Sequence, residues 1–276
     1  MNTPLNHVAR WNTLLEGVTS FGAAAWGRTP RIARLRDGIG AGAYLHSEWG
    51  ALMSRFVHDG GVDYQTLTRV QRLFEAYLER LADTDPDTFA DADDQLAFFI
   101  NAYNALALYQ VVQQFPVPSI RAIPYALVRP FPVGKRNLSL IHLHAAIIRA
   151  FGDPRAHAAL CPAARGTLPP ELYLGTTLQQ QLDAAMRRLL ADPARGACYD
   201  AATNTLEINA VLYRWGGDFA APHRMPSAYG LIGGQLEPQR VLDALQPYLP
   251  PALTDLVAAR RPALRPLPFD WSLNET

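Results

Sequence analysis

Residues 95–114 read QLAFFINAYNALALYQVVQQ, and the way their apolar side chains distribute decides the fold. At about a hundred degrees per residue, Leu96, Ile100, Tyr103 and Ala107 fall along one side of a helix. Phe98, Ala105, Tyr109 and Val112 fall along another, and Phe99 with Leu106 along a third. A surface helix carries a single apolar stripe, so a helix apolar on every side belongs inside a domain. It is not a membrane span: it is short, polar near its middle, preceded by acidic residues and followed by Phe115-Pro116. Asn101 and Asn104, three residues apart, project together into that interior. A buried amide without a partner costs about 1–3 kcal/mol, so each must meet main chain, another side chain, water or a ligand. The pair therefore either braces a neighbouring loop or positions a substrate.

The chain of 276 residues, 49% of them apolar, is long enough to bury a substantial core. The expected organisation is an N-terminal helical extension over 1–40 and a main domain over 41–276, with no Gly/Ser or Pro-run linker. Val8, Trp11, Leu14, Leu15 and Val18 recur at helical spacing, and their face covers either the main domain or a second subunit, so an oligomer through this helix is open. Arg28, Arg31, Arg34 and Arg36 form a short basic cluster read as a solvated face, because no glycine-rich cradle follows. Lys and Arg together number 25, as do Asp and Glu, and no long run of one sign occurs. The expected partner is a small-molecule substrate, with no nucleic acid and no membrane insertion. Cys161 and Cys198 make neither a disulfide framework nor a zinc-type spacing, so no metal and no cofactor are expected. A basic start with an apolar run is missing from the first residues, which predicts a cytoplasmic protein.

Along the chain the spacing predicts helices over 45–57 and 66–82, with Asp59-Gly60-Gly61 as a tight turn between them. Gly134-Lys135 predicts a hairpin, and a helix through 140–151 carries His142 and His144. The run 156–160 is expected to be a buried strand, 205–209 another strand, and 176–190, 212–219, 241–248 and 251–260 helices. The sum is an α+β fold: a helix-rich single domain around a buried central helix, with a small β-sheet.

Several strings taken in order resemble the domain-of-unknown-function family 547. They are Phe56-Val57 through Val62-Asp63-Tyr64, the stretch from Gln95 to Ala105, Pro116-Val117, and Ser119-Ile120-Arg121. Leu138-Ser139-Leu140, Ile147-Ile148-Arg149, Asp153-Pro154-Arg155 with His157, Leu178 to Leu182, Asp192-Pro193, and Asp270 to Asn274 continue the set. The resemblance spans roughly Leu45 to Asn274. It implies an acidic run ending in Glu-His before Ile147 and a Ser-Cys-Pro triplet after His157, a thiol-and-imidazole pattern. This chain departs at both places: Ala145 stands where that His is expected, and Gly166-Thr167-Leu168 where the triplet is expected.

The candidate catalytic residues are then His157, His142, His144, Cys161 and Asp270, and the candidate substrate-binding residues Asn101, Asn104, Tyr103, Arg149 and Asn274. His157 and Cys161 are four apart, a spacing that suits either a thiolate–imidazole pair or a satisfied core histidine beside a small buried thiol. His142 lies one helical turn before Ala145, with His144 about a hundred degrees round the same helix; a surface or capping histidine has the same spacing. By resemblance Asn101, Asn104, Asp270 and Asn274 meet around one pocket, either for a ligand or to lock the C-terminus. Three functions fit these residues. One is a small-molecule enzyme using His/Asn/Asp acid/base chemistry in a pocket lined by the central helix. The others are a catalytically degenerate binding or scaffold protein, and a thiol-dependent hydrolase or transferase using Cys161.

Overall fold

A computed structural model describes residues 46–220 and 238–276. The expected extension over 1–40, its helix and the arginine cluster lie outside the described residues. The described chain runs α1 (Ser47–Phe56), β1 (Val57–His58), β2 (Gly61–Val62), α2 (Tyr64–Leu67), α3 (Gln71–Asp83) and the long α4 (Ala92–Gln114). It continues with β3 (Phe131–Val133), β4 (Arg136–Leu138) and a π-helical segment (His142–Ile147). Then come α5 (Ala156–Ala159), α6 (Leu178–Ala191), β5 (Ala197–Asp200), β6 (Thr205–Ile208), α7 (Ala210–Arg214) and α8 (Gly216–Ala220). It ends with α9 (Pro238–Leu245), α10 (Pro251–Arg260) and β7 (Ala263–Pro266). The fold is α+β and helix-rich, and its strands form three small sheets.

Helix α4 is the predicted central rod. Asp91 caps it by accepting from Asp93 N–H, Asp93 and Asp94 occupy its first turn, and every residue from Gln95 to Val112 is buried. Phe98, Phe99, Ile100 and Leu106 lie at the centre of one hydrophobic cluster that includes Trp49, Phe74 and Tyr77. A second cluster joins α6 to the three-stranded sheet through Met186, Leu190, Leu206 and Ile208. In that sheet β6 pairs antiparallel with β5 and parallel with β7, with Leu206 opposite Leu264. The predicted hairpin is present: Gly134 and Lys135 adopt φ of 60° and 61°, the positive values a two-residue turn of this hand needs.

Three local expectations give way. Residues 156–159 form a short helix instead of a strand. The Asp153 carboxylate accepts from Arg155 N–H at 3.0 Å, Pro154 follows at the first turn, and the alanines after it favour helix. The single helix expected over 66–82 is split, with a 3-10 turn at Thr68–Val70 separating α2 from α3. The helix expected over 212–219 breaks at Trp215, whose ψ of 19° ends α7 and turns the chain before α8.

Both central amides are held by main chain. Asn101 Nδ2 donates to the Tyr173 carbonyl at 2.7 Å while its Oδ1 accepts from Tyr173 N–H at 3.0 Å. Asn104 Nδ2 donates to the Ala159 carbonyl at 2.9 Å, and its Oδ1 accepts from Cys161 N–H at 2.8 Å. Each side chain thus stands in for a peptide unit, and two segments of loop are fastened to α4. Asn104→Ala leaves two buried backbone groups unpaired at about 1–3 kcal/mol each. Urea titration is therefore expected to show a loss of about 2–5 kcal/mol, against less than about 0.5 kcal/mol for Gln114→Ala at the exposed end of the same helix. A loss under about 1 kcal/mol for Asn104→Ala would remove the bracing role.

Candidate active site

Among the described residues an open cavity of about 260 Å³ lies between α4, the π-helical segment, α5, α7 and the C-terminal tail. The segment carrying His142 and His144 is a helix, as expected, but it is wound as π. Ile148 N–H is shared between the carbonyls of His144 and Leu143, and both His144 and Ala145 line the cavity. His142 does not line it. It is exposed, and its N–H donates to Ser139 Oγ at 3.3 Å, so Ser139 is the cap and His142 is the surface histidine that its position near the helix start also allowed.

Behind His144 lies a continuous hydrogen-bonded chain. His144 Nε2 is 2.9 Å from His157 Nδ1, and His157 Nε2 is 2.9 Å from Asp218 Oδ2. Burial lowers the pKa of His144, helped by the positive groups His157 and Arg149, and it lowers that of His157 against the opposing pull of Asp218. Burial opposes the charge on Asp218, but hydrogen bonds from Arg149 and His157 outweigh it and hold the carboxyl well below its usual range. The protons follow from these states. An ionised carboxylate only accepts, so His157 Nε2 carries hydrogen and its Nδ1 accepts. His144 must then donate from Nε2, which leaves a lone pair on its Nδ1, an atom with no hydrogen-bond partner among the described residues.

Arg149 fixes the far end. Its Nε and Nη2 each donate to Asp218 at 2.6 Å, and its guanidinium sits 4.1 Å from the centre of the Trp215 ring. Expected to bind substrate, it instead neutralises Asp218 and does not line the cavity. Trp215 stacks on His157 at 6.0 Å and meets His144 edge-on at 5.2 Å, so the break between α7 and α8 sets both the indole and the carboxylate against the imidazoles. Tyr103 lines the cavity edge-on to His144 at 6.2 Å.

The tail returns as expected, but its polar residues face away from the cavity. Phe269 and Trp271 line it, whereas Asp270 caps Ser272 N–H at 2.9 Å in an exposed position. Asn274 is buried elsewhere, accepting from Tyr64 Oη–H at 2.8 Å and donating to Cys161 Sγ at 3.3 Å. Cys161 is sealed, its thiol pushed up by burial, and it lies outside the lining with Asn101 and Asn104. Gly166 makes room for the tail, since a Cβ there would stand 2.9 Å from the Phe269 ring. Among the described residues no group of three or more His, Cys, Asp or Glu is arranged to hold a metal ion, and no helix is long and apolar enough to cross a membrane.

Residues 87–190 match the family model described as protein of unknown function, DUF547. The resemblance seen in the sequence therefore holds over the segment that supplies α4, both histidines and Cys161. Comparison with curated proteins and with solved structures returned no match. Of the positions where the sequence departs from the expected pattern, Ala145 and Thr167 line the cavity, with His144 and His157, while Gly166 and Leu168 do not. Asp218, Trp215, Arg214 and Arg121 were not among the predicted site residues. The available signal for Asp218 was a lone carboxylate in Trp215-Gly216-Gly217-Asp218-Phe219, an apolar setting where a charge needs a partner.

His144 and His157 are lowered from 6.5, and His46 is lowered to about 3 by burial. Below pH 6.5 the unfolded chain takes up protons that the folded chain refuses, so stability is full above that value and falls as pH falls. Urea unfolding between pH 7 and 4 is expected to slope by about 1.4 kcal/mol per pH unit for each such proton. The slope should be shallower by up to one proton in His157→Gln, and an unchanged slope in that variant would show that His157 is not held neutral.

Proposed function

We propose that this cavity is the active site of an enzyme that acts on a small organic molecule by proton transfer, with His144 as the group that touches substrate. The supporting observation is that His144, which lines the cavity and whose Nδ1 has no hydrogen-bond partner among the described residues, is backed by His157 and Asp218 in an unbroken chain. As a base, Nδ1 takes a proton from substrate and positive charge develops on the ring. The Nε2 hydrogen bond passes that charge toward His157, and the Asp218 carboxylate stabilises it. His157 and Asp218 are positioning residues: they fix the tautomer and plane of the ring that reacts. An imidazole weakened by burial suits a proton already made acidic by a neighbouring carbonyl, and once protonated it is a strong acid that returns the proton readily.

A non-catalytic binding protein is the rival. Its support is the side chains at the departing positions: Ala145 carries no reactive group, and the Thr167 hydroxyl donates to the Ala164 carbonyl at 3.0 Å. A thiol mechanism through Cys161 gains no support from a buried sulfur already accepting from Asn274.

Deuterium incorporation from heavy water into a mixture of small carbonyl compounds, followed by proton NMR, separates the two readings. Acid/base catalysis predicts exchange in at least one compound and a loss of about 10²–10⁴-fold in His144→Gln, with circular dichroism unchanged. His157→Gln is expected to lose less and to shift the pH profile. Ligands that bind without exchange or conversion, or full activity in His144→Gln, would leave the binding-protein reading.

A further inference from the structure

The returning tail gives the same cavity a wall of a particular kind. We infer that the ligand is a small carbonyl compound with an apolar, ring-sized body, and that Phe269 and Trp271 are the specificity-determining side chains against which that body packs. This rests on the reading of the cavity as a substrate site and names the class of molecule it takes.

The wall is built by alternation. The Asp270 and Ser272 carbonyls accept from the N–H groups of Gly166 and Arg165 at 2.8 and 3.0 Å, and both residues are exposed. Phe269 and Trp271, the residues that alternate with them, are half-buried and line the cavity. The order Phe-Asp-Trp-Ser thus has the period of two by which successive side chains point to opposite sides. The two rings lie 4.6 Å apart with a 52° tilt, so they form one aromatic corner.

The corner is fixed from both directions. Before it, Leu267 N–H donates to the Ile208 carbonyl at 2.7 Å. After it, Leu273 N–H donates to the Pro118 carbonyl at 2.9 Å, and the Leu273 carbonyl accepts from Arg165 Nε at 3.1 Å. A wall held in this way is in place before a ligand arrives, and little ordering is left for binding to supply.

The remaining surface is of the same character. Leu127, Leu140 and Leu160 line the cavity as buried side chains, and Ile141 and Val211 line it half-buried. A half-buried apolar group keeps contact with water that a ligand can displace. The large hydrophobic side chains that stand exposed among the described residues, Leu73, Tyr125 and Leu174, lie away from this cavity. Arg121 and Arg214 also line it but have partners within the protein, so selection of the ligand's body falls to the apolar groups. A volume of about 260 Å³ admits a single ring with a short side chain.

Ligand-observed NMR titration of the full chain with phenylacetone, 2-pentanone and methoxyacetone tests this. Methoxyacetone replaces one methylene of 2-pentanone by an ether oxygen at nearly constant shape, and a methylene taken from water is worth about threefold to fourfold in affinity. 2-Pentanone is therefore expected to bind at least about threefold more tightly than methoxyacetone, and phenylacetone at least about tenfold more tightly. Phe269→Ala and Trp271→Ala together, checked by circular dichroism, should bring the phenylacetone preference below about threefold while leaving methoxyacetone within about twofold of its original affinity. Trp271→Phe, which keeps a ring in the corner, should retain most of the preference. Equal or tighter binding of methoxyacetone, no binding of any probe at millimolar concentration, or a preference that survives the double alanine variant would overturn the assignment. Where that variant fails to fold, the ratios in the unaltered protein and in Phe269→Leu decide it. The catalytic reading fails separately: a preference for apolar ketones without proton exchange sinks that reading and leaves this one standing. Exchange in methoxyacetone bound as tightly as phenylacetone does the reverse.

Discussion

The constraint on which this structure depends is that a helix buried on all sides cannot leave an amide unpaired. Asn101 and Asn104 sit fully buried in α4, and each pairs a backbone donor and a backbone acceptor from one short stretch of loop. A side-chain amide has the same donor and acceptor as a peptide unit, so α4 holds those loops as a neighbouring strand would. Asn104 fastens the end of α5, and α5 carries His157. The asparagines thus influence the cavity without touching it. They set the height of an imidazole that faces it.

Once His157 is placed, electrostatics narrows the rest. A buried carboxylate is costly unless it is matched, and Asp218 is matched twice: by the guanidinium of Arg149 and by a ring N–H of His157. With the carboxylate ionised, the hydrogen on each ring nitrogen is determined in sequence out to His144, and the last nitrogen is left as an acceptor at the cavity. Trp215 packs against both rings and beneath Arg149. The tautomers are therefore a consequence of burial combined with one negative charge.

The legible part of the fold was the part governed by local periodicity. The all-round apolar pattern located α4, the Gly134-Lys135 pair located a hairpin, and the 251–260 helix matches α10 residue for residue. Local pattern failed where short segments were decided by distant partners. Residues 156–159 are too few for periodicity to distinguish strand from helix, and the Asp153-Pro154 start decides it. Of the site, His144, His157 and Tyr103 line the cavity and were already among the candidate residues, because a titratable or hydroxyl group in an apolar run stands out wherever the run folds. Asp218 and Arg214 were not, since they come from two short helices on either side of a break whose geometry is tertiary. Arg149 was noticed but given the wrong partner: nothing in the local sequence distinguishes an arginine that meets a ligand from one that meets Asp218.

The wall of the cavity and the frame behind it answer to different constraints. A cavity is the one part of a packed interior where side chains can change without a compensating change in a neighbour, because there is no neighbour to clash with or to leave unpaired. Ala145 is such a position, whereas His144 and Thr167 also hold partners of their own, His157 Nδ1 and the Ala164 carbonyl. The groups behind the cavity are not so free: His157, Arg149 and Asn104 each satisfy a buried partner, and removing any of them leaves that partner exposed to the cost of isolation. A chain under these rules can alter the groups its ligand meets while retaining the frame that holds them. A ring nitrogen backed by His157 and Asp218 thus belongs to the cavity wall and to the frame at once, and among the described residues no thiol lines that wall.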